Sequence, residues 1–175
     1  MKMIRQNVEG CVLIKNDVYD DERGLFFEVM NEEILNNLSV PKIDQVNISK
    51  SKYGVFRGFH YQVHNKLTQF VTCIKGEVLD FGVDLRKNSA TFGNIVKANL
   101  SETNHDTLYL PPGIAHGFLS ISKESVLLYH VHGSYIKEYE RGLNFLSLDL
   151  DMPFKPEIIN KRDSSWPSFD DCEYI

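Results

Sequence analysis

The chain has 175 residues, a length that suits one domain with a core of its own spanning residues 1–175. Hydrophobic residues make up 42% and charged residues 25%, the balance of a soluble globular protein, and no apolar run is long enough to span a bilayer. A net charge of −5 argues against broad binding to nucleic-acid phosphates, while a local basic pocket for a small anion stays compatible with it.

The first residues, Met1-Lys2-Met3-Ile4-Arg5-Gln6, lack the apolar core of a secretion signal. Cysteines stand at 11, 73 and 172, far apart and with no CxxC. That pattern predicts a reducing, cytoplasmic setting, with Cys73 a small core residue and no structural zinc.

Short apolar runs then recur, separated by Gly, Asn, Asp and Pro. Val12-Leu13-Ile14 and Leu25 to Val29 come first, and a short helix is predicted from Asn31 to Leu38. Asn31 suits its N-cap, and Glu32 and Glu33 sit favourably in its first turn. Phe70 to Ile74 precedes Gly76, and Val78 to Leu85 follows. Asn88 to Thr91 reads as a tight polar loop leading into Phe92-Gly93. Later runs are Asn94 to Val96, Thr107 to Leu110, Gly117 to Ile121 and Val126 to Val131. Many short strands with turns between them predict an all-β sandwich or barrel of the jelly-roll kind. The segment from Pro153 onward is rich in Pro, Asp and Ser and is expected to wrap the surface.

Several residues stand out chemically. His60 lies in Arg57-Gly58-Phe59-His60-Tyr61-Gln62. Strict alternation would put Arg57 and His60 on opposite faces, and a bulge at Gly58 would bring them to one. Read blandly, His60 is a hydrogen-bonded, half-buried histidine. Read sharply, it is a general base, since imidazole titrates near neutral pH. Pro111-Pro112-Gly113-Ile114-Ala115-His116 matches the P-x-G-x-x-H pattern of cupin jelly rolls, where the histidine binds a metal. The H-x-H pair that such metal sites also need is missing, because His60 and His64 are the candidates. Arg23, Arg57 and Arg141 each precede a glycine. Arginines are often surface ion-pair partners of little weight, but a fork beside an open backbone also suits a diphosphate. Tyr135, one of eight tyrosines, and Asp163 say nothing alone.

Taken together, these segments resemble the dTDP-4-dehydrorhamnose 3,5-epimerase family from about Val12 to Phe169. The likeness rests on Asp21-Glu22-Arg23-Gly24 to Glu28, Gln45-Val46-Asn47, and Arg57 to Gln62. It continues through Asp84-Leu85-Arg86, Ser89 to Gly93 and Pro112 to Phe118. Tyr135 five residues before Glu140-Arg141-Gly142, and Arg162-Asp163 before Pro167-Ser168-Phe169, complete it.

The resemblance implies a cupin jelly roll with short peripheral helices and epimerisation of a nucleotide-linked 4-keto-6-deoxy sugar, without metal or organic cofactor. It implies His60 as base, Asp163 as its orienting carboxylate and Tyr135 as the acid on the other face. It implies substrate contacts from Arg23, Phe26, Glu28, Gln45, Asn47, Arg57, Gln69, His116, Glu140 and Arg162. It also implies a homodimer in which N-terminal strands exchange and carry Arg23 and Phe26 to the partner's site.

Two departures bear on the substrate. The family usually carries a charged lysine where this chain has Gln69, and losing one stabilising donor of this kind costs about 3 kcal/mol. Lys66, three residues earlier, is a candidate to reach in. The stretch Asn144-Phe145-Leu146-Ser147, with Met152-Pro153, also differs from the family's usual Trp and Asp-Pro. Epimerisation at one carbon, or a CDP or other nucleotide carrier, are the alternatives within the class. A metal-dependent cupin and a catalytically silent sugar-binding cupin are the alternatives outside it.

Overall fold

The apolar runs become strands, and their alternation assigns side chains to layers. The computed structural model describes residues 1–175. First come β1 (Lys2–Arg5), β2 (Val12–Lys15), β3 (Val18–Asp21) and β4 (Gly24–Phe27), then helix α1 (Glu32–Asn37). Next are β5 (Gln45–Lys52), β6 (Phe56–Gln62), β7 (Thr68–Lys75), β8 (Glu77–Asp84) and β9 (Ile95–Ser101). The series ends with β10 (Thr107–Leu110), β11 (Ile114–Ser120), β12 (Glu124–His132), β13 (Glu140–Gly142) and the short α2 (Lys161–Ser164).

Two antiparallel sheets face each other, ordered β1-β2-β10-β7-β12-β5 and β13-β6-β11-β8-β9, while β3 and β4 form a separate hairpin. The non-sequential order is that of a jelly roll, as the sequence predicts. Val71, Cys73, Leu108 and Leu127 of the first sheet meet Val78, Val96, Leu100 and Phe118 of the second in the central core. The outer face of the first sheet, with Ile14, Phe70 and Tyr109, is covered by Ile34 of α1. Asn31 caps that helix by accepting from the Ile34 amide, with Glu32 and Glu33 in the first turn, as expected.

The C-terminal segment does more than wrap the surface. Phe154, Ile159, Phe169 and Tyr174 pack on Phe59, Phe81 and Leu119 at the outer face of the second sheet, and Cys172 is buried there. The segment is pinned at its end, where the Ile175 amide donates to the Leu85 carbonyl and the Lys87 amide donates to the Ile175 carbonyl. The polar composition of this stretch hides its apolar anchors, which are spaced by loops rather than by any regular period. The turn expected at Asn88–Thr91 does join β8 to β9 as a hairpin, with Ser89 and Thr91 donating hydroxyls to the buried Asp84 carboxylate.

Candidate active site

The local backbone of β6 decides the site. Phe59 and Tyr61 pack outward with Phe56, a step of three between Phe56 and Phe59 that breaks alternation. Across the ladder, His116 pairs with His60 and Phe118 with Arg57, so Gly117 alone faces two residues. This is the bulge expected at Gly58. Gly58 has φ +122°, and a Cβ there would lie 2.5 Å from the Gly117 Cα, so only glycine fits. As a result Arg57 and His60 line the same cavity.

His60 Nε2 lies 2.8 Å from Asp163 Oδ1. Asp163 sits in α2, where Asn160 caps the Asp163 amide. The Gly58 amide donates to its other oxygen, Oδ2, at 3.1 Å, and Arg162 Nε is 3.6 Å from Oδ1. Burial alone pushes the Asp163 carboxyl up, but His60, the Gly58 amide and Arg162 more than offset this and hold it below its ordinary value. With Nε2 engaged, Nδ1 is the His60 nitrogen left for a ligand.

A chain of contacts joins His60 to Tyr135. Arg162 Nη1 donates to both Glu140 oxygens at 3.2 and 3.0 Å, and its Nη2 lies 3.4 Å from His60 Nε2. Tyr135 donates its hydroxyl to Glu140 Oε2 at 3.0 Å. Partial burial and the Glu140 carboxylate raise the Tyr135 phenol above its usual value, with Arg162 opposing, so it stays protonated at neutral pH. The Arg162 guanidinium rests 6.0 Å over the Trp166 ring, and Trp166 in turn packs on Gly142, opposite His60 in the ladder.

The cavity, of about 340 Å³, is lined by β5, β7 and β12 of the first sheet and β6 and β11 of the second. Gln45, Asn47, Gln69, Arg57, His60, His116 and Tyr135 all line it. A narrower recess beside it brings His60, Gln69, Tyr135 and Glu140 together. Arg57 has no carboxylate partner: it donates to the Ser51 hydroxyl and the Lys50 carbonyl, leaving its charge for a ligand. Lys66 does not line either space, and Leu67 occupies the wall where it was a candidate.

Arg23, Phe26 and Glu28 fall elsewhere. Arg23 forks onto Asp21 at the tip of the β3–β4 hairpin, with Phe26 beside it, and Glu28 lines a separate groove with Asn31 and Tyr19. The sequence reading missed Tyr129, Ser49 and Phe118 in the cavity wall. It also missed Asp80, whose two oxygens each lie 2.9 Å from His116 Nε2. The clue was a lone carboxylate inside the apolar run Val78-Leu79-Asp80-Phe81, since a buried charge requires a partner. Nowhere do three His, Cys, Asp or Glu side chains converge as a metal-ligand group, and no helix is long and apolar enough to cross a membrane.

An imidazole–carboxylate dyad and a protonated phenol, sharing one cavity of a jelly roll with an unpaired arginine, define a cupin-type isomerase. The sequence profile of the dTDP-4-dehydrorhamnose 3,5-epimerase family matches residues 5–171. The chain belongs to that family. It is 35% identical over 180 residues to the dTDP-4-dehydrorhamnose 3,5-epimerase of Shigella flexneri, covering 100% of this chain and 99% of the other. The crystal structure of the Sulfolobus tokodaii epimerase of the same name superposes with a TM-score of 0.92 at 38% identity, covering 99% and 97% of the two chains. That of dTDP-6-deoxy-D-glucose-3,5-epimerase from Legionella pneumophila, in complex with dTDP-4-keto-L-rhamnose, gives 0.93 at 30% identity, covering 98% and 94%.

Proposed function

We propose that the chain epimerises a dTDP-linked 4-keto-6-deoxy sugar at both C3 and C5, using His60 as base and Tyr135 as acid. The observation that carries this reading is that His60, held by Asp163, and Tyr135 line one recess. The ketone acidifies the protons on its neighbouring carbons. His60 Nδ1 takes one, and the C–H electron pair moves into an enolate. Asp163 accepts from Nε2–H and stabilises the imidazolium. Tyr135 then gives its proton to the other face of the carbon, and the ketone is restored. His60 loses its proton to water and Tyr135 regains one, so the cycle is neutral and carries solvent hydrogen into the product. The substrate's carbonyl is the electron sink, so the reaction calls for no metal or organic cofactor.

Arg57 is placed to hold the diphosphate, with Gln45 and Asn47 on the adjoining strand for the sugar and phosphate oxygens. Residues 1–175 act as one unit in this reading, and the three unpaired cysteines suit a cytoplasmic setting. The functional unit is a homodimer. Its support is the apolar surface left bare on one chain: Tyr19 and Phe26 on the hairpin are 64% and 65% exposed, and Ile48 on edge strand β5 is 67% exposed. A second copy covering these would bring Arg23 and Phe26 towards its neighbour's cavity, and light scattering should find twice the chain mass.

The test is proton NMR of a dTDP-4-keto-6-deoxy sugar incubated with the enzyme in deuterated water. The expected result is deuterium at C3 and C5 with inversion at both. Exchange at one carbon removes the double assignment. Exchange only with a CDP- or GDP-linked analogue removes the dTDP assignment, and no exchange with any of them overturns the reading.

A further inference from the structure

The mechanism above uses one histidine–carboxylate pair, and the cavity holds two. Asp80 of β8 points into the space between the sheets, as its strand neighbours Val78 and Gly82 do, while Leu79 and Phe81 pack on the other side. It is fully buried, and the only hydrogen-bond partner of its carboxylate is His116 Nε2. His116 stands opposite His60 in the β6–β11 ladder and lines the same cavity. The two imidazoles are thus neighbours on one wall, each bound through Nε2 to its own carboxylate.

Their surroundings differ in one decisive respect. Asp163 has a backbone amide and an arginine to support its negative charge. Asp80 has neither, and burial pushes its carboxyl above the ordinary value against the pull of His116. A bare carboxylate beside a neutral imidazole would leave a net negative charge in a dry interior, which is the costliest arrangement. Holding one extra proton across the pair removes that charge. Whichever of the two groups holds that proton, Nε2 faces Asp80 and the free N–H of the ring is at Nδ1. That atom has no protein partner, and it is not among the enclosed unpartnered polar atoms of the fold.

We propose that Asp80 is a positioning residue that keeps a proton on His116, and that His116 Nδ1–H donates to the substrate's C4 oxygen as the enolate forms. This deepens the epimerase reading and rests on it. The oxygen gains negative charge in the transition state, and a preorganised N–H donor there stabilises that state more than the ketone. It also accounts for a site in which Gln69, the other donor in this part of the wall, is neutral. No proton is transferred by His116: it donates a hydrogen bond throughout, and the transferred protons remain those of His60 and Tyr135.

Asp80→Asn, His116→Gln and the double variant test this with the dTDP-4-keto-6-deoxy sugar. Binding of dTDP, measured by calorimetry, serves as the check on site integrity. The expected result for Asp80→Asn is a fall in kcat and in deuterium exchange of about 100- to 1,000-fold, with dTDP affinity within about threefold of wild type. His116→Gln should fall similarly, and the double variant should fall no further than the worse single one. Asp80→Asn with near wild-type kcat overturns the proposal, as does parallel loss of kcat and dTDP binding, or multiplicative loss in the double variant. Nitrogen-15 NMR of wild-type imidazoles gives an answer that needs no variant to fold. His116 Nδ1 should carry a proton at neutral pH, and an unprotonated Nδ1 overturns the assignment. Wild-type enzyme that exchanges no deuterium would instead remove the epimerase reading itself, so the two failures are told apart.

Discussion

The His60–Asp163 and His116–Asp80 pairs have the same chemistry, nearly the same length, and adjoining places on β6 and β11, yet their settings differ. His60 is about one-third exposed at the cavity mouth, and its carboxylate comes from the C-terminal segment with an amide and Arg162 in support. His116 lies deeper, and its carboxylate comes from the middle of a sheet with nothing else to hold it. The first setting stabilises a charged Asp163 and leaves His60 Nδ1 as an acceptor. The second penalises a lone charge and leaves His116 Nδ1 as a donor. On the proposed roles, environment more than residue type would divide the labour between base and electrophile.

The largest expected effect breaks the comparison on the mouth side. His60→Asn should lower kcat by about 10,000-fold, since it removes the proposed base altogether. His116→Gln should cost at least about tenfold less, and equal losses in steady-state assays would erase the proposed difference in role. Asp163→Asn should come next, at about 100-fold or more in kcat, because the amide supports the imidazolium poorly and permits the wrong tautomer.

The pH dependence of stability gives the pairs opposite signs. Asp163 has a depressed value in the fold, so its contribution is fully present above the unfolded carboxyl value near ~4 and is lost as pH falls through the folded one. Chemical denaturation below pH ~4 should therefore show a slope in wild type that Asp163→Asn flattens. Asp80 has a raised value, so its contribution is present at acid pH and is lost as pH rises from about 4. The stability of wild type relative to Asp80→Asn should decline across that rise. The asparagine can still accept from His116, so the two proteins should differ by no more than about 1 kcal/mol at neutral pH.

The smallest effect sharpens the comparison. If His116 supplies the donor to the enolate, Gln69→Lys should change kcat by less than about fivefold. A gain of about 100-fold would mean that the enolate had lacked such a donor.

Legibility followed the same division. Strands that read as apolar runs, such as β7, β8 and β12, were evident, as was the Asn31 cap, because burial on a sheet face imposes its period on the sequence. β5 was not, since its edge position leaves Val46 and Ile48 bare and puts Gln45, Asn47 and Ser49 in the cavity, so it looks polar. The bulge that unites Arg57 with His60 was legible because glycine is the residue such a kink needs. The placement of Asp163 and Tyr135 was legible only through family resemblance, because loops bring them in from more than 70 residues away and no local period records that. Asp80 was legible in principle from its apolar neighbours, but naming its partner required the register of β8 against β11.

The most direct measurement is deuterium uptake into the bound 4-keto sugar by His60→Asn and His116→Gln, followed side by side with wild type. His60→Asn should show no uptake at C3 or C5 on the time scale of wild-type turnover, while His116→Gln should show slow uptake at both carbons. Uptake by His60→Asn at the wild-type rate would contradict the assignment of the base, and with it the division of roles between the two pairs.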